Sequence, residues 1–175
     1  MLKKKSLPII LFLALSLGFA ACDGGLEPPT EDSITQEPGI SGLITFEKNT
    51  WPPADSLIGM WIFASQLYPL DSVLILTGLF SDPPKILLYP DLSTSLPLYV
   101  DSISYRFKLP PGLYRYIGII QQMKPELAVR SLRVVGVYAS TADPSQPVSV
   151  SIGNSQLVRN INFHINFYKI PPQPF

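Results

Sequence analysis

The chain from Gly39 onward predicts an all-β domain, an antiparallel β-sandwich, on three observations. No window of helical length carries a sustained apolar period of 3.6 residues. About ten short strand-like runs follow one another at the spacing of a sandwich. The intervals between them are clusters of Pro, Gly, Asn, Asp and Ser, residues that favour turns.

In order, the first strand is predicted at 40–47 and is stopped by "EKNTWPPADS". The next two, 57–65 and 72–80, precede the break "FSDPPK", and 84–89 precedes "YPDLSTSLP". Runs at 97–101 and 103–109 end in "LPPG", after which 113–121 returns. Strands at 132–139, 147–152 and 157–168 complete the set, separated by "TADPSQP" and "IGNS". Prolines cannot donate to a sheet ladder, so their confinement to connections also blunts the edges. No internal repeat is present, and 171–175, "PPQPF", is expected to be a short extended tail.

Two of these runs are apolar on both faces. Ile58, Met60 and Ile62 alternate with Leu57, Trp61 and Phe63; Val73, Ile75 and Leu79 alternate with Leu74, Leu76 and Phe80. An antiparallel strand with one wet face alternates cleanly, so the outer face of these two is expected to be covered. The chain's own 81–98 segment is the expected cover, with a partner protein or a second copy as the alternative.

The last run contrasts with them. In "NINFHINF", 160–167, Ile161, Phe163, Ile165 and Phe167 point one way and Asn160, Asn162, His164 and Asn166 the other. The apolar row is expected to fill the core. Cross-strand hydrogen bonds on the solvated side would account for the asparagines and for His164, the only histidine of the chain; a ligand-binding face is the alternative.

The first 22 residues have three lysines, an apolar run from Leu7 to Phe19, and then small residues, the three-part form of a secretory leader. The run is shorter than the roughly 20 apolar residues that span a bilayer. It ends in "FAAC", which resembles the lipobox of bacterial lipoproteins: Ala20 and Ala21 match, and Phe19 stands where leucine is usual. The resemblance implies cleavage after Ala21, residues 1–21 being a lipoprotein signal peptide, and a diacylglyceryl thioether on Cys22. Several acyl chains would give stable anchoring where one would not. Cleavage after Ala20, leaving a free thiol, is the alternative; a disulfide within the chain has no second cysteine. Residues 22–38 then form the lipidated cysteine and an acidic, Pro- and Gly-rich tether. Its 16 residues from Asp23 are too poor in large apolar side chains to order themselves, and would span about 20–25 Å.

The body, 39–170, carries a second resemblance. "ISGLITF" at 40–46 and "YRFKLPPGLYRY" at 105–116 are similar to the opening strand and the hairpin of prealbumin-like domains, among them carboxypeptidase regulatory-like modules. Pro110 and Pro111 fix φ, Gly112 supplies the turn, and Tyr114 begins the return strand. The long "KNTWPPADS" and 81–98 connections depart from the shortest members.

Composition limits the chemistry. Without Lys3, Lys4 and Lys5, 10 basic residues face 13 acidic ones, a net charge near −3. That is no footprint for nucleic acid. One histidine and one cysteine are too few for a zinc site, so no metal and no cofactor is expected. Phosphate-binding glycine loops, the nucleophile elbow and a calcium loop are absent from the sequence. The prealbumin fold also hosts a purine-pathway hydrolase that relies on several histidines and a "YRGS"-like ending; His164 and "PPQPF" do not match it.

The expectation is therefore a noncatalytic, lipid-anchored protein of the bacterial cell envelope, periplasmic or surface-facing, acting as an accessory or binding module for an envelope protein or a glycan. The alternative is polysaccharide binding through Tyr105, Tyr114 and Tyr116, with Arg106 and Arg115 between them and His164 as a further candidate. A hydrolase built on His164 is the third reading.

Overall fold

The computed structural model describes residues 36–174, apart from Leu127, Pro144 and the side chain of Leu76. Ten strands and one helix follow in order: β1 Gly39–Phe46, β2 Gly59–Ser65, α1 Ser72–Leu79, β3 Ile86–Tyr89, β4 Ser102–Lys108, β5 Gly112–Tyr114, β6 Tyr116–Gln122, β7 Leu132–Val137, β8 Val150–Ile152, β9 Leu157–Val158 and β10 Phe163–Ile165. The domain is the expected all-β sandwich. One sheet runs β10-β1-β4 with β9 also on β1, a second runs β3-β2-β6-β7, and β5 pairs with β8 in a short ribbon.

Alternation dictates the core between the two larger sheets. Ile40, Ile44 and Phe46 of β1, Tyr105 and Phe107 of β4, and Phe163 and Ile165 of β10 form one wall. Met60, Ile62 and Ala64 of β2, with Ile117 and Ile119 of β6, form the other. Each such side chain removed from water contributes roughly 1.5–3 kcal/mol before the entropy of ordering is subtracted.

The structure changes several expected elements. The run 72–80 is a helix, not a strand. Asp71 caps it, its carboxylate accepting the backbone N–H of Val73 at 2.9 Å and of Leu74 at 2.8 Å. A short apolar run has the same composition in a buried strand and a buried helix, and here the cap decides. The helix is also the cover that the two-faced strand β2 requires. Trp61, Phe63, Tyr116, Ile120 and Val134 on the outer face of the second sheet pack with Leu70 and Ile75. The expected cover, 81–98, extends that sheet at its edge as β3 and shares the covering with the helix: Ile86 joins the same cluster, and the Trp61 indole donates to Asp91 O at 3.1 Å.

The expected strand 113–121 is broken at Arg115, whose N–H donates to Ser65 O at 2.8 Å where the chain passes from one sheet to another. The run 157–168 is broken between β9 and β10, with Asn160 in the left-handed region at φ 64°. Both pieces lie parallel to β1, so the first sheet is mixed where an antiparallel one was expected. The expected strand 97–101 does not form; Tyr99 has φ 58°, which ends regular pairing. The tail is docked: Gln173 accepts the N–H of Val134 at 2.8 Å and donates to its carbonyl at 2.9 Å. A side-chain amide thus occupies part of the free edge of β7.

Gln121 lies 1% exposed on the inner face opposite Met60, and neither polar atom of its side chain finds a hydrogen-bond partner among the described residues. An unpaired buried amide costs about 1–3 kcal/mol, whereas an apolar group of similar shape does not. Gln121→Met is therefore expected to stabilise the domain by about 1–2 kcal/mol, read as a raised denaturant midpoint with an unchanged slope. A lowered midpoint would show that the amide is satisfied by something other than the chain.

Candidate functional site

The row that holds His164 forms the outer face of the first sheet. As the alternation predicts, Ile161, Phe163, Ile165 and Phe167 are buried, while Asn160, Asn162 and His164 are exposed and Asn166 is half-buried. The polar members bind the chain's own first strand. Asn162 Oδ1 accepts the N–H of Leu43 at 2.8 Å, and Asn166 Nδ2 donates to Glu47 Oε2 at 2.6 Å. His164 Nδ1 lies 3.1 Å from Thr45 Oγ1, and its Nε2 lies 3.6 Å from Glu47 Oε2.

A hydroxyl, an imidazole and a carboxylate in this order resemble a nucleophile with its base and orienting acid. The surroundings argue against that use. Thr45 Oγ1 lies within hydrogen-bond distance of Phe163 O as well, at 3.2 Å, so that carbonyl competes with the imidazole for the single hydroxyl proton. The histidine and glutamate side chains are 66% and 49% exposed, where water competes for every contact. Thr45 and Glu47 were not legible as partners of His164, because 119 residues separate Thr45 from it and only the strand register joins them.

The tyrosines do not form a row. Tyr105 is 5% exposed and donates to Ile161 O at 2.6 Å. Tyr114 is fully buried and donates to Pro110 O at 3.0 Å, bracing the turn that precedes it. Tyr116 faces the second core, edge-on to Phe63 with ring centroids 5.2 Å apart. Buried rings offer no face on which a sugar could stack, and the break at Arg115 sends Tyr114 and Tyr116 into different cores. Arg106 and Arg115 are exposed.

Burial pushes the Tyr105 and Tyr116 phenols well above the usual 10, with the neighbouring hydroxyls of Tyr138 and Tyr68 adding to the respective effects. Tyr114 is raised by burial too, opposed by a hydrogen bond from Gln66. The fold favours the neutral phenol in each case, so the stability gained is complete below the unfolded pKa of about 10 and is lost as pH climbs toward the folded values. The denaturant midpoint is expected to hold between pH 7 and 9 and to fall steeply above about 10. Tyr105→Phe should reduce that slope. Phenolate absorbance from all eight tyrosines rising near pH 10 in a folded protein would contradict the burial.

Two hollows adjoin these faces. A cleft of about 500 Å³ runs from β7 to His164 and includes Asp143, Ser145 and Lys169. Asp143 is committed to its own loop: Ser145 donates to it from its hydroxyl at 2.6 Å and its N–H at 3.0 Å, which holds the carboxyl below the usual range. A crevice of about 40 Å³ beneath α1 is lined only by apolar side chains, among them Trp61, Ile75 and Leu132. Such a lining offers no polar group to orient a ligand. No group of three metal-ligating side chains converges among the described residues.

At the end of the sandwich where β1 begins, Leu109 N–H donates to Pro38 O at 3.1 Å and Lys108 meets Glu37 at 2.7 Å. That ion pair, with Arg106 nearby, holds the Glu37 carboxyl below its ordinary value. Beside it come the 109–112 turn, Gln66 within 3.3 Å of the Cβ position of Gly112, and Lys85, whose carbonyl accepts the N–H of Gln66 at 3.0 Å. Ala21 and Cys22 lie outside the described residues. No helix among the described residues is long and apolar enough to cross a membrane. Comparison of the chain with family models, curated proteins and solved structures gives no match.

Proposed function

We propose that the protein is a noncatalytic, lipid-anchored component of the bacterial cell envelope, an accessory or binding module whose β-sandwich is carried on a tether from Cys22. The observation that carries the reading is "FAAC" at the end of a lysine-led apolar leader, with the chain's single cysteine in the position that takes lipid. The acidic, proline-rich 23–38 stretch supplies a tether of suitable length. The outer face of the first sheet supports a noncatalytic role, since its histidine, threonine and glutamate are half-exposed and spent on holding β10 to β1. A lipidated chain partitions with membranes, whereas the same chain with a bare serine lacks the acyl groups that hold it there. Cys22→Ser is therefore expected to abolish incorporation of labelled fatty acid and, with the lipobox cysteine gone, to leave the apolar leader uncleaved. A parent chain that takes up no labelled fatty acid, or a Cys22→Ser chain that takes up as much as the parent, would defeat the reading.

A further inference from the structure

We propose that the Pro38 end of the sandwich rests directly on an anionic phospholipid surface, so that the domain is oriented on the membrane rather than swinging freely on its tether. The proposal rests on the lipid-anchored reading for its address and on the following geometry for its face.

The strands place one set of residues at this end: β1 begins here, β4 ends at Lys108, β2 ends at Ser65, and β3 and β6 begin at Ile86 and Tyr116. Leu113, 46% exposed, follows the exposed Pro110 and Pro111 here, and Tyr68, 45% exposed, comes three residues after the end of β2 at Ser65. Tyr68 leans on Tyr116, with ring centroids 5.4 Å apart, so its ring is held in place rather than left loose. Lys108, paired with Glu37, ends β4 here, and the other exposed charges are Lys85 and Arg115 against Asp82, an excess of one positive charge in all. Among the described residues Lys85 and Arg115 have no carboxylate within ion-pairing distance. An aromatic ring, a leucine and prolines ringed by Lys and Arg are the groups that partition into a headgroup layer, where each cation near an anionic surface adds about 1 kcal/mol.

The chain outside the described residues meets the domain at this same end, at Gln36. In this proposal the end that rests on the bilayer is the one at which the chain from Cys22 enters the domain, and the loops carrying Asp55 lie at the other. The outer face of the first sheet, with Ser41 opposite Arg106 and with Thr45, Ser102, Ser104 and His164, offers no exposed large apolar group beyond Leu43. The test uses the full mature chain.

Leu113→Cys and, at the opposite end, Asp55→Cys are labelled with an environment-sensitive fluorophore and placed on vesicles of phosphatidylglycerol and phosphatidylcholine containing spin-labelled lipid. One dye per chain shows that Cys22 is blocked; two show that it is bare, which counts against the anchor and leaves the face to be read from the Leu113 dye in a Cys22→Ser background. Strong quenching and a blue shift at Leu113, with neither at Asp55, are expected. Replacing both Lys85 and Arg115 by Ala should lower the docked-to-undocked ratio about thirtyfold at low salt. A Leu113 dye that remains in water on anionic vesicles, or equal quenching at the two ends, overturns the proposal whether or not Cys22 carries lipid.

Discussion

Gly42→Ala is expected to lower the stability of the domain by on the order of 3 kcal/mol, equivalent to a melting temperature about 10 °C lower. A Cβ at Gly42 would sit 2.1 Å from the carbonyl oxygen of Ile161 and 2.6 Å from its carbon, both backbone atoms that no rotamer change can move. That carbonyl is held from the other side by the Tyr105 hydroxyl at 2.6 Å, and Tyr105 is the direct partner of Gly42 across β1 and β4. β1 therefore cannot keep its register with β4 and also receive the 159–162 segment once a methyl group is added. The hydrogen bonds lost with that segment are from Ile161 N–H to Ser41 O and from Leu43 N–H to Asn162 Oδ1. Hydrogen exchange should show both amides exposed before the rest of the first sheet. Tyr105→Phe removes only the brace and should cost about 1–2 kcal/mol. A Gly42→Ala protein melting like the parent would mean that the last strands do not lie where the structure puts them.

Trp61→Ala is expected to cost about 3–5 kcal/mol and to release α1 first. The indole is 7% exposed, borders the apolar crevice with Ile75 and Leu79, and donates its N–H to Asp91 O at 3.1 Å. Its removal enlarges that crevice, which stays dry and so recovers none of the lost contact. An eight-residue helix cannot stand alone in water. Here it is held by the Asp71 cap and by packing on the second sheet. Amide protection over 72–79 should therefore fall while β2 and β6 remain protected. Simultaneous loss of protection everywhere would show that the helix is not a separable cover.

How much of this was legible in the sequence depends on the residue. The alternation of 160–167 could be read because one face is buried and the other wet, and the structure buries the four residues the period selects. For α1, the four-residue apolar run 73–76 is too short to carry a period, and only Asp71 ahead of Ser72 marked a helix start. The cover of the second sheet is correspondingly shared, between α1 and the 81–98 segment read from the sequence. The spacing of Tyr114 and Tyr116 puts them on one face of a continuous strand. The chain changes sheets between them, an event set by the long-range bond from Arg115 to Ser65 and carried by no local signal. Parallel pairing of β1 with β9 and β10 was equally hidden, because side-chain alternation is the same in either strand direction.

The most direct test of the lipid-anchored reading is the intact mass of the protein purified from the membranes of the cells that make it. The account predicts a chain that begins at Cys22 and is heavier than its sequence by a diacylglyceryl group, with no thiol open to maleimide. A chain of unmodified mass whose Cys22 sulfur reacts freely would contradict it.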